Sequence, residues 1–115
     1  MTIINSKDDK RIADLHDNSI LAPGTSEVIG VILGNTVYGK NGSIKGKYID
    51  KTIYTTSGEK IAVEKRSYLD IAQIDTAKIR QQSWSVINAI KSHICTWIEP
   101  KNQWANASLP EFLVS

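Results

Sequence analysis

The chain is poor in the residues that usually announce a function. Its 115 residues include one cysteine, Cys95, and two histidines, His16 and His93. One cysteine excludes an intramolecular disulfide framework and fits a reducing compartment. Two histidines and one thiol are too few for a metal site unless carboxylates join them. No apolar run nears the roughly 20 residues needed to span a bilayer, and the amino-terminal stretch turns acidic at Asp8-Asp9 without a signal-like apolar core. The expectation is therefore a cytoplasmic, soluble chain with no membrane partner. A formal net charge of +2 is too small to argue for nucleic acid by itself. Three prolines and seven glycines leave the chain free of low-complexity linkers, and its length suits one domain.

What is present is a repeat. Gly30-Val31-Ile32-Leu33-Gly34-Asn35-Thr36-Val37-Tyr38 lies over Gly46-Lys47-Tyr48-Ile49-Asp50-Lys51-Thr52-Ile53-Tyr54, with Gly42 over Gly58 and Gly46 over Ala62. Weaker copies flank these two. Arg11-Ile12-Ala13 resembles Val28-Ile29-Gly30, Asn18-Ser19-Ile20-Leu21 resembles Asn35-Thr36-Val37-Tyr38, and downstream Leu69 falls where Ile53 would recur. Each copy reads as strand, tight turn, strand, tight turn. Gly34-Asn35 and Asp50-Lys51 mark one set of turns, and Asn41-Gly42 and Ser57-Gly58 the other. Asn41-Gly42 suits the positive φ angles of a type I′ hairpin. Turns this close leave no room for parallel crossovers. The expected fold class is α+β: an antiparallel β-meander of about eight short strands built from repeats of about 16 residues, repeated around an axis so that free edges are limited. It occupies residues 1–70 and is followed by a helical extension over 71–115.

From Asp75 to Trp97 there is neither Gly nor Pro, and Ile79, Val86, Ile87, Ile90, Ile94, Trp97 and Ile98 recur at helical spacing. This predicts one long amphipathic helix capped by Asp75 or Thr76 and ended by Pro100. A short helical turn is expected at Leu109–Leu113.

The stretch Thr36–Tyr54, with its Asn41-Gly42 turn, Gly46 and the pair Tyr38 and Tyr54, resembles the bacterial four-fold β-flower domain, in which a short "IYxxNGxxxGxxxxxxIY"-like unit recurs four times. The resemblance covers residues 3–70 and implies a pseudo-symmetric β fold. The positions that carry it build turns and core, so it implies no catalytic residue, and the family it points to has no assigned function.

Candidate chemistry is thin. His93 and Cys95 stand two apart, and residues at i and i+2 of a helix do not face each other. His16 takes the repeat position of Leu33 and Ile49, which makes it a strand residue before it is a base. Asp14 and Asp17 flank a turn, as Asp8 and Asp9 form one, and turn aspartates bond their own backbone. Gly39-Lys40-Asn41-Gly42 precedes a strand and offers no helix N-terminus to a phosphate. Nothing in the sequence requires a cofactor or a catalytic role.

Two binding surfaces compete instead. Between residues 40 and 66 seven basic residues (Lys40, Lys45, Lys47, Lys51, Lys60, Lys65 and Arg66) face three acidic ones, with Tyr38, Tyr48 and Tyr54 interleaved. Charge with stacking is the chemistry of single-stranded nucleic-acid binding; lysines on the wet face of a strand give the same pattern. The helix supplies the other surface. Trp84 lies about 140° around it from Trp97, so apolar surface faces two ways. Trp84, Trp97, Trp104 and Phe112 are the candidate anchors for a protein partner or a second copy. The favoured expectation is a non-catalytic protein-interaction or assembly module, and the alternative is a nucleic-acid binder.

Overall fold

The fold follows from where the short β-favouring runs break. In the computed structural model, which describes residues 2–6, 8, 10–66, 75–91, 98–106 and 108–114, eight strands form: β1 (Thr2–Asn5), β2 (Arg11–His16), β3 (Ser19–Leu21), β4 (Val28–Leu33), β5 (Thr36–Gly39), β6 (Ile44–Ile49), β7 (Thr52–Thr55) and β8 (Lys60–Arg66). Each pairs antiparallel with the next, and β8 pairs with β1 to close a barrel. Closure leaves no sheet edge to template aggregation. Among the described residues two helices follow, α1 (Thr76–Ala89) and α2 (Leu109–Val114). The expected meander of eight strands with a carboxy-terminal helix is thus the observed architecture.

The repeat is visible in the register. Ile4 pairs with Ala13, Ile20 with Gly30, Val37 with Gly46 and Ile53 with Ala62. Immediately after each of these pairs the register shifts, and the skipped residues are Ile12, Ile29, Lys45 and Ile61. Each long strand therefore carries one bulge at the same place, the device that bends and twists a sheet toward closure. On their other side the same four aliphatic residues meet Glu64, Leu15, Ile32 and Tyr48. The barrel core is a stack of three such rings, with the small residues Ala13, Gly30, Gly46 and Ala62 at its waist.

The fourth unit is completed by the beginning of the chain. Its inner strand is β1, and Ile4 holds the place for which repetition proposed Leu69, a residue outside the described ones. The Asn41-Gly42 turn also differs from expectation. Gly42 has φ +83°, while Asn41 keeps a negative φ; the type I′ pattern, with both φ values positive, belongs to Asp50 and Lys51 at +49° and +61°.

One end of the barrel is closed by α2. Leu109 and Leu113 are fully buried against the ring of Ile12, Ile29 and Ile61, and Phe112 packs beside them. Lys45 fills the fourth place of that ring and holds its ammonium 5.7 Å from the centre of the Phe112 ring, a cation over an aromatic face. The backbone of Lys40 donates to the Leu113 carbonyl at 3.0 Å, fixing the end of α2 to the β5–β6 hairpin.

Helix α1 crosses the outer face of β3–β5. Ile79 and Val86 bury against Leu21, Val28, Val31 and Tyr38, with Ile87 and Ile90 packed at the margin. Ser83 meets Ser19 at 2.5 Å, and Gln82 accepts from the Val28 amide while donating to the Ser26 carbonyl. Asp75 is the N-cap and accepts from the Lys78 amide. The helix ends at Ala89, earlier than the sequence pattern implied, because Ile90 turns extended (φ −69°, ψ 122°) to reach the apolar cluster. Residues 92–97 lie outside the described ones, so the expected continuation to Trp97 does too.

Candidate functional site

The barrel end opposite α2 carries the two-residue turns Asp17-Asn18, Gly34-Asn35 and Asp50-Lys51. Below them lies the ring of Leu15, Ile32, Tyr48 and Glu64. An open depression of about 460 Å³ is lined there by these four residues together with Asp17, Asn18, Leu33 and Gly34. The Tyr48 hydroxyl donates to the Glu64 carboxylate across the mouth. Loss of hydration, then the hydrogen bond to Glu64, then its negative charge push the Tyr48 phenol up to about 12. Tyr48 therefore stays a neutral donor through the physiological range, and Glu64 is its acceptor.

Neither residue stood out in the sequence as half of a pair. The signal is positional: Tyr48 and Glu64 are sixteen residues apart, one repeat, and so hold the same place on strands β6 and β8. Closing the barrel brings them within reach across the mouth.

Of the four candidate partner anchors, three are described and they separate. Trp84 projects from α1 with 57% of its surface exposed. Trp104 is half-buried beside the start of β8, where Lys60 donates its amide to Gln103 and Ala105 donates to the Lys60 carbonyl. Phe112 is half-buried under Lys45. Trp97 lies outside the described residues, as do His93 and Cys95.

The basic residues do not gather on one patch. Lys40 and Lys60 sit at the α2 end, with Lys40 paired to Glu27 at 3.4 Å and Lys60 donating to Asn102. Lys45 points to Phe112. Lys51 and Lys65 belong to the opposite end, and Lys47 lies between, across from Thr36 and Tyr54. Arg66 ends β8, and its side chain is outside the described set. Tyr38 and Tyr54 are buried, so neither offers a face to a base.

Asp14 is not a turn aspartate. It is buried in β2, where it accepts hydrogen bonds from Nε and Nη2 of Arg11 and from the Gly24 amide. His16 ends β2 as Leu33 ends β4 and Ile49 ends β6, with Nε2 3.8 Å from Asp17. Among the described residues no three His, Cys, Asp or Glu side chains are placed to hold a metal ion, and no helix is long and apolar enough to cross a membrane. No protein family, curated protein or solved structure matches the chain.

Proposed function

We propose that the chain is a non-catalytic protein-interaction module, built on a four-fold β-flower type of barrel, with the outer face of α1 as its contact surface. The observation that carries this reading is Trp84. It is one of two large apolar side chains left open among the described residues, the other being Val114 at the end of α2. The inner face of α1 is already used: Ile79, Ser83 and Val86 are buried on the barrel. Trp84 is therefore surplus to the fold, and an exposed Trp is the residue type most often found at the energetic centre of an interface.

The surroundings of Trp84 state what the partner must offer. One turn away on the same face lie exposed Arg80, Gln81 and Asn88. Helix α1 contains Lys78 and Arg80 and no acidic residue. A complementary partner carries an apolar socket rimmed by carboxylates, so that charge steers the encounter and the indole supplies the affinity. The competing nucleic-acid reading draws less support, since its lysines are dispersed and two of its three tyrosines are buried.

The test pairs the wild type with Trp84→Ser. Sedimentation of the intact protein reads self-association, and affinity capture from its native source reads other partners. The variant should melt within a few degrees of the wild type, since surface changes shift stability by no more than about 0.5 kcal/mol, and should lose the partner or second copy that the wild type holds. Retention of the same partner by both proteins, or a wild-type monomer that retains only nucleic acid released by salt, would sink the proposal.

A further inference from the structure

Equivalent positions of a repeat face equivalent demands, so a residue that breaks the pattern is one the fold did not require. The mouth ring contains Leu15, Ile32, Tyr48 and Glu64. Two of the four places are served by aliphatic side chains packed on the core. A carboxylate in such a ring loses hydration, a cost that only hydrogen-bond donors offset. Tyr48 supplies one donor, and a carboxylate can take about four.

The wall around that carboxylate has a consistent character. Leu15, Ile32 and Leu33 make it apolar, Tyr48 adds an aromatic ring, and Asp17, exposed and 3.8 Å from His16 Nε2, is a second acid at the rim. Among the described residues, no lysine, arginine or histidine lines the depression. An anionic ligand meets two like charges there. A neutral apolar one leaves the carboxylate without a further donor. A cation with an apolar body satisfies both halves, and the ring beside the carboxylate favours it further through its quadrupole.

From this arrangement we infer that the barrel mouth binds a small organic cation. It is an ammonium group on a compact aliphatic or aryl body, with the charge on Glu64 and the body against Leu15, Ile32 and Leu33. The same chemistry is carried by a free amine and by a lysine side chain of a peptide, and the test separates the two. The site lies at the open end of the barrel, and none of its lining residues belongs to α1.

The experiment titrates the isotopically labelled full chain with n-hexylammonium, phenethylammonium and N-acetyl-lysine amide, following backbone amide resonances. Hexanol and hexanoate are the neutral and anionic controls. Saturable shifts are expected at Ile32, Gly34 and Glu64 with an amine and not with hexanoate, and hexanol should bind weaker by roughly tenfold or more, as loss of a charge-assisted hydrogen bond implies. Glu64→Gln keeps the shape and should weaken the amine by roughly tenfold or more. Glu59→Gln, at the other barrel end, should change nothing. Binding of the lysine derivative alone assigns the site to a peptide, and binding of the free amines alone to a small molecule. The inference is overturned if no amine gives saturable shifts at the mouth, if hexanol binds as tightly as hexylammonium, or if a folded Glu64→Gln binds unchanged. Should Glu64→Gln fail to fold, Asp17→Asn and the hexanol comparison decide: amine binding that is unchanged by Asp17→Asn and matched by hexanol is fatal.

Discussion

Ile4 lies directly across from Glu64, pairing the first strand of the chain with the last. On its other side Ile4 meets Ala13, just as Ile53 meets Ala62. The fourth repeat is therefore split between the two ends of the β region, and the barrel closes only when β1 arrives. Ile4 is buried in the main cluster, so Ile4→Ala should cost about 2–5 kcal/mol. Ile3 shares the repeat position of Ser19, Thr36 and Thr52 on the opposite face, and Ile3→Thr should cost less than about 1 kcal/mol by the same reasoning from lost burial. Urea denaturation of the two variants checks the contrast. Equal costs would mean that β1 is an appendage and not the closing strand.

The waist of the barrel is divided between alanine and glycine for a steric reason. Ala13 and Ala62 accommodate a methyl group, whereas a Cβ added to Gly46 would collide with the Tyr54 carbonyl oxygen, and one added to Gly30 would lie 2.7 Å from that of Tyr38. Glycine goes with a tyrosine on the following strand, and alanine with Leu21 or Asn5. Gly46→Ala should destabilise by about 1–3 kcal/mol, the usual cost of overpacking a filled site. Ala62→Gly should cost about 1–2 kcal/mol, through chain entropy and the loss of one buried methyl. Thermal melts of both variants check the two costs. A harmless Gly46→Ala would show that the β6–β7 pair can move apart freely.

Local and periodic features were readable in advance. The turns at Gly34-Asn35 and Asp50-Lys51, the equivalence of Tyr38 with Tyr54 and of Gly46 with Ala62, and the Asp75 cap each depend on neighbours in sequence or on a fixed offset. Closure did not, because repetition carried forward along the chain looks for the last inner strand near Leu69, while Thr2–Asn5 supplies it from the other end. The end of α1 is likewise a tertiary effect. Nothing in Ala89-Ile90-Lys91 breaks a helix; the chain turns there because Ile90 packs into the cluster and Gly42 sits against Ala89 with no room for a Cβ. The Tyr48–Glu64 pair is spaced by one whole repeat, so it becomes visible only once the strands are wrapped into a barrel.

Tyr48 gives the barrel mouth a pH signature. Its phenol ordinarily titrates at 10.0 and is raised to about 12 in the fold. Between those values the unfolded chain has lost the proton that the folded chain still holds. Stability therefore falls as pH rises through this window, and the contribution is fully present below about pH 10. Urea midpoints at neutral pH and at several points between the two values should show a decline that Tyr48→Phe reduces. Phenolate absorbance gives an independent reading, with one tyrosine titrating late in the wild type and absent from the variant. An equal decline in both proteins would place the sensitivity on other groups.

Asp14 shows how the fold keeps a carboxylate inside. Its side chain is 1% exposed, and it accepts Arg11 Nε at 2.7 Å, Arg11 Nη2 at 2.6 Å and the Gly24 amide at 2.9 Å. The matching positions on β4 and β8 are Val31 and Val63, so the outer face of the barrel takes an aliphatic residue there readily. Arg11→Met alone leaves a buried carboxylate without its cation and should cost about 3 kcal/mol. The double variant Arg11→Met with Asp14→Val should recover most of that loss, because a well-packed apolar pair often matches a buried ion pair in stability. A double-mutant cycle measures the coupling, and additive costs would contradict the pairing. Recovery would locate the value of Asp14 in its third hydrogen bond, the one to Gly24. That bond ties the 22–27 loop to β2 close to Ser26, which in turn bonds Asp75 and Gln82 of the helical segment. The double variant should then show faster amide exchange at Gly24 than the wild type, even where its melting temperature is restored.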